Sequence, residues 1–391
     1  MEQRVIDLAL SVSADGRAGA RRASLGASST LEGDFGLGSL ERAELRVRLE
    51  DAFGCRLPDQ PFMAARSIGD LVALIQGAGR GDAVPLAAAV APQVRALSHA
   101  GQARTLLEAL ALNAEATPEA RAISFLKEGR EEQTVTFRGL FEAVRRVAGG
   151  LQIQPGDRVG LMLPTGLGFV AAFFGTMAAG GVPVPMYPPV RPDQIQAFVE
   201  RQSGILANAG ARILVTFPAV TKVAPWLRAR VPELREVAVV DDLLTASPVG
   251  TLPEPRTDDF AFIQYTSGST GTPRGVVLSH ANLLANIRAF GEVLPLQPDD
   301  VLVSWLPLYH DMGLIGMLLT PLFHGLPLVL MGPEDFLMRP SRWLRAFHEY
   351  GGSVTAAPNF AYELCARKVP DAEIVGLNLA RWRVAINGAE P

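Results

Sequence analysis

From Thr105 onward, short β-branched apolar runs alternate with stretches of helical period, and this alternation limits what the chain can fold into more than any other feature. The runs are Val159 to Leu163, Arg212 to Phe217, Val237 to Val240, Phe260 to Tyr265, Leu328 to Met331, Val354 to Ala356 and Arg383 to Ile386. Helical segments such as Phe169 to Ala179 and Arg342 to Tyr350 lie between them, so the expectation is an α/β domain with mainly parallel strands over 105–391. The amino-terminal part differs. Leu40, Ala43 and Val47, with Leu45, Leu49 and Phe53 offset, follow helical spacing, and Ser67 to Gln76 is a second amphipathic run that stops at Gly77. Residues 1–77 are therefore predicted to form a small all-α unit, beginning with a helix from Met1 to about Val12, and the Gly/Ala/Pro-rich 78–104 to form a linker.

The chain has 391 residues, long enough for two or three domains, and a net charge of −4 with no basic footprint for nucleic acid. Its first residues lack a basic start followed by an apolar run, so a cytoplasmic protein is expected. Two distant cysteines, Cys55 and Cys365, make neither a disulfide framework nor a zinc cluster, and both read as buried thiols. The apolar stretches Phe169 to Pro189 and Ile315 to Gly332 are interrupted by glycines and prolines. They read as buried helix-then-strand units rather than membrane spans.

The most informative segment is Phe260 to Asn286. An apolar strand enters Thr266-Ser267-Gly268-Ser269-Thr270-Gly271-Thr272-Pro273-Arg274-Gly275, a second strand follows, and then a helix that Ser279 can cap. Glycines free backbone N–H groups to face an anion, the hydroxyls supply donors for phosphate oxygens or a bound magnesium ion, and Arg274 adds positive charge. Pro273 and a second strand separate the loop from a Walker pattern, in which Gly-Lys-Ser/Thr opens directly into a helix.

This loop resembles the signature of the adenylate-forming superfamily of acyl-CoA synthetases, peptide-synthetase adenylation domains and luciferases, where Lys usually stands in place of Arg274. The resemblance implies that Thr266 to Thr272 and Arg274 hold ATP phosphates. Ser304 to Gly316, SWLPLYHDMGLIG, resembles the hallmark of fatty acyl-AMP ligases. Taken alone, His310 and Asp311 read as a hydrogen-bonded structural pair. The resemblance instead implies a catalytic His310, placing or screening the carboxylate, with Tyr309, Asp311, Met312 and Gly313 near the acyl group. Thr355 to Cys365 and Trp382 to Pro391 agree with that subgroup, as does Val182 to Pro189. The first implies Pro358, Asn359 and Phe360 in the acyl pocket, although Phe360, Tyr362 and Leu364 have the spacing of core residues. The second implies Gly388, Ala389 and Glu390 beside the adenine.

In the amino-terminal unit, Gly33 to Leu45 resembles the phosphopantetheine attachment site of acyl carrier proteins, with Ser39 as the esterified serine and Gly38 where Asp is usual. Unmodified, Ser39 would serve as a helix cap.

The expectation is thus a carrier-like helical bundle followed by the large amino-terminal domain of an adenylate-forming enzyme, incomplete at Pro391. The family's magnesium-binding Glu, ribose-binding Asp and lid lie past that point, so no metal ligand is expected here and the fragment alone is expected to be inactive. ATP, Mg2+ and phosphopantetheine are the implied cofactors. The implied partners are a fatty acid, a carrier domain in cis or trans and a downstream polyketide or peptide synthetase. An acyl-CoA synthetase and a non-catalytic binding fragment are the alternatives.

Overall fold

The computed structural model describes residues 1–12, 25–35, 37, 39–78, 99–189, 195–253, 255–266, 274–294 and 296–388. Most of the expected linker lies outside this range.

The α/β domain is built on two sheets and a hairpin. The larger sheet contains β1 (Arg121–Lys127), β2 (Arg130–Thr136), β9 (Leu302–Ser304), β10 (Leu328–Met331), β11 (Val354–Ala357) and β12 (Val384–Asn387), in the order β12-β11-β9-β10-β1-β2. All neighbours pair in parallel except the edge strand β2, which turns back on β1. The second sheet, β4-β3-β5-β6, is wholly parallel and comprises β3 (Arg158–Met162), β4 (Val182–Met186), β5 (Ala211–Thr216) and β6 (Glu236–Val239). The hairpin of β7 (Phe260–Thr266) and β8 (Arg274–Ser279) packs with β7 beside β4.

The segments named from the sequence fall on these strands to within about one residue. The β1–β2 hairpin was not anticipated, because β2 is REEQTVT and exposes its first five residues, leaving no apolar signal. Val182 to Met186, the strand half of the helix-then-strand unit expected over Phe169 to Pro189, pairs with β3, lies beside the hairpin and is buried throughout. Helix Leu167–Ala178 is buried along ten consecutive residues, as expected for a helix that is apolar on every side, and it leads into β4. Among the described residues, no helix is long and apolar enough to cross a membrane.

Aromatic packing joins the larger sheet to its helices. Trp343 is fully buried, and its ring meets those of Trp305, Phe336, Phe347, Tyr362 and Trp382. Trp305 stacks on Phe336, and Phe347 on Trp382, each with centroids 4.1 Å apart. Cys55 is buried as expected, whereas Cys365 is only half-buried, on a helix whose one buried residue is Ala361.

The amino-terminal unit has its own apolar core, which includes Val5, Ile6, Phe35, Leu45, Leu49, Phe62 and Leu71. Its helices are Glu2–Val12, Ser39–Phe53, Asp59–Ala64 and Ile68–Gly77, the last opened by a reciprocal cap between Ser67 and Asp70. Met338 of the α/β domain enters this core. Around it runs a buried ionic network. Asp59 accepts two hydrogen bonds from Arg342, at 2.6 and 3.0 Å, and also meets Arg46. Glu50 meets Arg46 and Arg339, and Arg56 bridges Glu50 and Glu373. Arg342 also reaches Asp335 at 3.0 Å, while burial pushes the Asp335 carboxyl up to about 6 against the pull of Arg342 and the Glu128 amide.

Two outcomes follow for stability. Trp343→Ala is expected to cost about 3–5 kcal/mol in chemical denaturation, because it opens a cavity at the centre of the ring cluster. His280 starts helix His280–Val293, is 2% exposed, and accepts the Leu106 N–H at 3.3 Å. Burial pushes its pKa down to about 4 although Asp259 pulls the other way, so the native ring refuses a proton that the unfolded chain accepts. Stability therefore falls with pH from the ordinary histidine range toward 4, by up to about 3 kcal/mol from this group. His280→Asn should flatten that slope in denaturation series from pH 7 to 4; equal slopes would refute the assignment.

Candidate functional site

A parallel sheet brings the turns that follow its strands to one edge, and there the separate sequence segments meet. β9 leads into Trp305 to Asp311, β11 into Pro358 to Phe360, and β12 into Gly388. The Asn387 amide donates to the Asn359 side-chain oxygen at 3.3 Å, and the Gly388 N–H donates to the Ala357 carbonyl at 3.4 Å. The expected adenine segment therefore lies against the expected acyl segment. Ala389 and Glu390 are outside the described residues.

The hairpin joins the same edge through one buried side chain. Gln264 of β7 donates its amide to the Tyr309 carbonyl at 2.6 Å. Two residues further along β7, Thr266 pairs across the ladder with Arg274 of β8, and both are exposed. The base of the expected phosphate loop thus carries a hydroxyl and a fixed cation beside the His310 segment. Ser267, Gly268, Ser269, Thr270, Gly271 and Thr272 lie outside the described residues. Beyond the hairpin, Ser279 caps its helix as expected, in a reciprocal box with Asn282.

His310 is exposed, and its backbone N–H donates to the Pro307 carbonyl at 3.2 Å. Partial burial of the ring holds its pKa below the usual histidine value, against the Asp311 carboxylate. The Asp311 carboxylate accepts from the Met312 N–H at 2.8 Å, capping the segment that follows rather than pairing with His310. That segment, Met312–Leu319, winds as a π-helix, a rare form found often at functional sites. Gly313 is fixed by space: a Cβ there would lie 2.3 Å from the Pro307 carbonyl oxygen.

Tyr309 lines a cavity of about 260 Å³ with Leu163, Phe169, Phe217, Glu334 and, from the amino-terminal unit, Met63. Burial, with Glu334 and Tyr187 nearby, pushes the Tyr309 phenol up and keeps it protonated. Asp311, Met312, Gly313, Pro358, Asn359 and Phe360 do not line this cavity. Met312 packs on the core, Pro358 precedes helix Asn359–Lys368, Asn359 faces Asn387, and Phe360 is 46% exposed with its ring edge-on to Trp305. Tyr362 donates its hydroxyl to the Ile386 carbonyl, tying that helix to β12.

Three side chains at this edge were not singled out from the sequence. Tyr187 packs with its ring 5.9 Å from that of Tyr309, and the Arg201 guanidinium lies over the Tyr187 ring, 5.5 Å from its centroid. Gln264 was legible in principle as the one amide in an otherwise apolar strand, FAFIQYT. Among the described residues, no group of three or more His, Cys, Asp or Glu side chains could hold a metal ion.

Ser39 opens helix Ser39–Phe53, as a carrier serine would. One turn in, Arg42 donates to the carbonyls of Phe62, Met63 and Ala65 and so ties the start of this helix to the segment that walls the cavity.

Residues 17–75 match the phosphopantetheine attachment site family, and residues 110–391 match the AMP-binding enzymes. The chain is 35% identical over 294 residues to the medium-chain-fatty-acid–[acyl-carrier-protein] ligase JamA of Moorena producens, covering 73% of this chain and 50% of that protein. It is also 35% identical to the long-chain-fatty-acid–AMP ligase FadD26 of Mycobacterium marinum, covering 73% and 51%. The fatty acyl-adenylate ligase of L. pneumophila, solved with acyl adenylate and pyrophosphate, superposes with a TM-score of 0.66 at 31% identity, over 76% of this chain and 52% of that one. A solved structure from the fatty acyl-adenylate ligases of E. coli and L. pneumophila gives 0.71 at 35% identity, over 76% and 54%. The chain spans about half the length of the curated relatives it matches. With its loop, its sheet edge and a match over 110–391, the chain belongs to the AMP-binding enzyme family.

Proposed function

We propose that the whole protein activates a fatty acid with ATP, giving an acyl adenylate and pyrophosphate, and passes the acyl group to a carrier thiol. The Gln264–Tyr309 hydrogen bond supports this reading above all, because it holds the base of the phosphate loop against the segment that contains His310. One carboxylate oxygen would bond to the α-phosphorus as the bond to the β-phosphate bridging oxygen breaks. Two anions approach each other, so positioning and charge neutralisation carry the catalysis.

Arg274 and Thr266, with the loop between them, serve the leaving pyrophosphate. His310 would hold a hydrogen bond that orients the carboxylate or screens its approach to phosphorus. The cavity beside Tyr309 offers the apolar walls Leu163, Phe169 and Phe217 to an acyl chain. Magnesium, when bound, would shield the charge of the triphosphate.

Phosphopantetheine, when carried on Ser39, would supply the thiol that takes the acyl group as AMP leaves. The 39% identity to the putative fatty-acid–CoA ligase FadD21 of Mycobacterium tuberculosis supports a second reading, with free CoA as acceptor. A downstream polyketide or peptide synthetase would receive the acyl group in the first reading, and the cytoplasm would supply ATP in both.

Fatty-acid-dependent ATP–pyrophosphate exchange by the whole protein tests the first step. Adding CoA or holo-carrier to the trapped adenylate then separates the two acceptors. His310→Ala is expected to lower the exchange rate about a hundredfold with little change in ATP binding, the size seen when one positioned donor is lost. Arg274→Ala should weaken ATP binding instead; the reverse pattern would exchange their roles.

A further inference from the structure

We propose that the contact between the two domains is the loading dock of the carrier, with Arg339 and Arg342 as positioning residues that hold the Ser39 end of the carrier helix at the Tyr309 cavity. This rests on the reading of the amino-terminal unit as a carrier and of the α/β domain as the enzyme that acylates it.

The contact carries charges of both signs on both sides. The carrier supplies Arg46 and Arg56 with Glu50 and Asp59, and the α/β domain supplies Arg339 and Arg342 with Asp335 and Glu373. Such alternation fixes a single register, because a shifted pose sets like charges against one another in a buried place. Arg342 is held in that register by two hydrogen bonds to Asp59, and Met338, four residues earlier, fills the carrier core.

A continuous set of contacts then runs from the dock to the site. The helix opens at Ser39, and Arg42, about 4.5 Å further along its axis, grips the Met63 carbonyl. Met63 walls the cavity with Tyr309, and Tyr309 is tied to the base of the phosphate loop by Gln264. A thiol on a long arm from Ser39 would thus work beside the adenylate at a high effective concentration rather than by diffusion from a free partner.

The test uses Ser39→Cys and Glu334→Cys in the full chain with Cys365→Ser, joined by a long flexible bismaleimide. Efficient crosslinking is expected. Arg342→Glu should lower the yield by more than about tenfold, as expected when one partner of a buried, hydrogen-bonded charge pair is removed. If Arg342→Glu does not fold, Glu373→Arg carries the same test at the more exposed end of the dock, with recovery on adding Arg56→Glu. In the whole protein with its native Ser39 and holo-carrier, Arg342→Glu should slow carrier acylation by a similar factor and leave ATP–pyrophosphate exchange in place. Absence of the crosslink, or a crosslink indifferent to these charges, overturns the dock, and acylation unchanged when the crosslink is lost overturns the positioning role. A crosslink that behaves as stated in a protein without fatty-acid-dependent exchange upholds the dock and overturns the proposed enzyme activity instead.

Discussion

Parallel strand pairing is the constraint on which the rest of the molecule depends. Each parallel neighbour requires a crossover, so β9, β10, β11 and β12 all deliver their following turns to one edge of the sheet. Segments up to about eighty residues apart, from Tyr309 to Gly388, become neighbours by topology alone. At the opposite, amino-terminal edge, Asp300 before β9 binds Arg383 before β12 and Ser353 before β11. This clasp aligns the strands whose far ends form the site. Side-chain chemistry at the edge is then refined by a few contacts, of which Gln264 to Tyr309 is the one that brings the hairpin into place.

The contact between the domains follows different physics. Removing eight charged groups from water is costly, and their mutual attraction offsets that cost without a large surplus. What such a network contributes is a single relative orientation. The apolar share of the same contact, with Met338 in the carrier core, supplies attraction that does not depend on register.

The fold was legible where burial leaves a periodic apolar trace. The strands from Val159 to Ile386, the cap at Ser279 and the helix Ile68–Gly77 all carry that trace. β2 was not legible, because a polar edge strand looks like a loop. β4 carries Pro183 and Pro185, which a strand tolerates at a sheet edge, and β4 is an edge strand of β4-β3-β5-β6. The site was legible as strings of residues, but not as an arrangement. Asp311 as a cap, Gly313 as a clearance and Asn359 against Asn387 emerge only when three strands end together. The dock was invisible, since Glu50 and Arg339 stand 289 positions apart.

The ring cluster around Trp343 has an optical consequence. The chain has four tryptophans; Trp305, Trp343 and Trp382 share this cluster, and Trp226 is 54% exposed. Trp305 directly follows β9, four residues before Tyr309. Three of the four indoles therefore share one ring cluster, with Trp305 at the working edge of the sheet, and the fourth is a water-exposed indole that an aqueous quencher can silence selectively. The chain carries a built-in, label-free reporter of events at that edge.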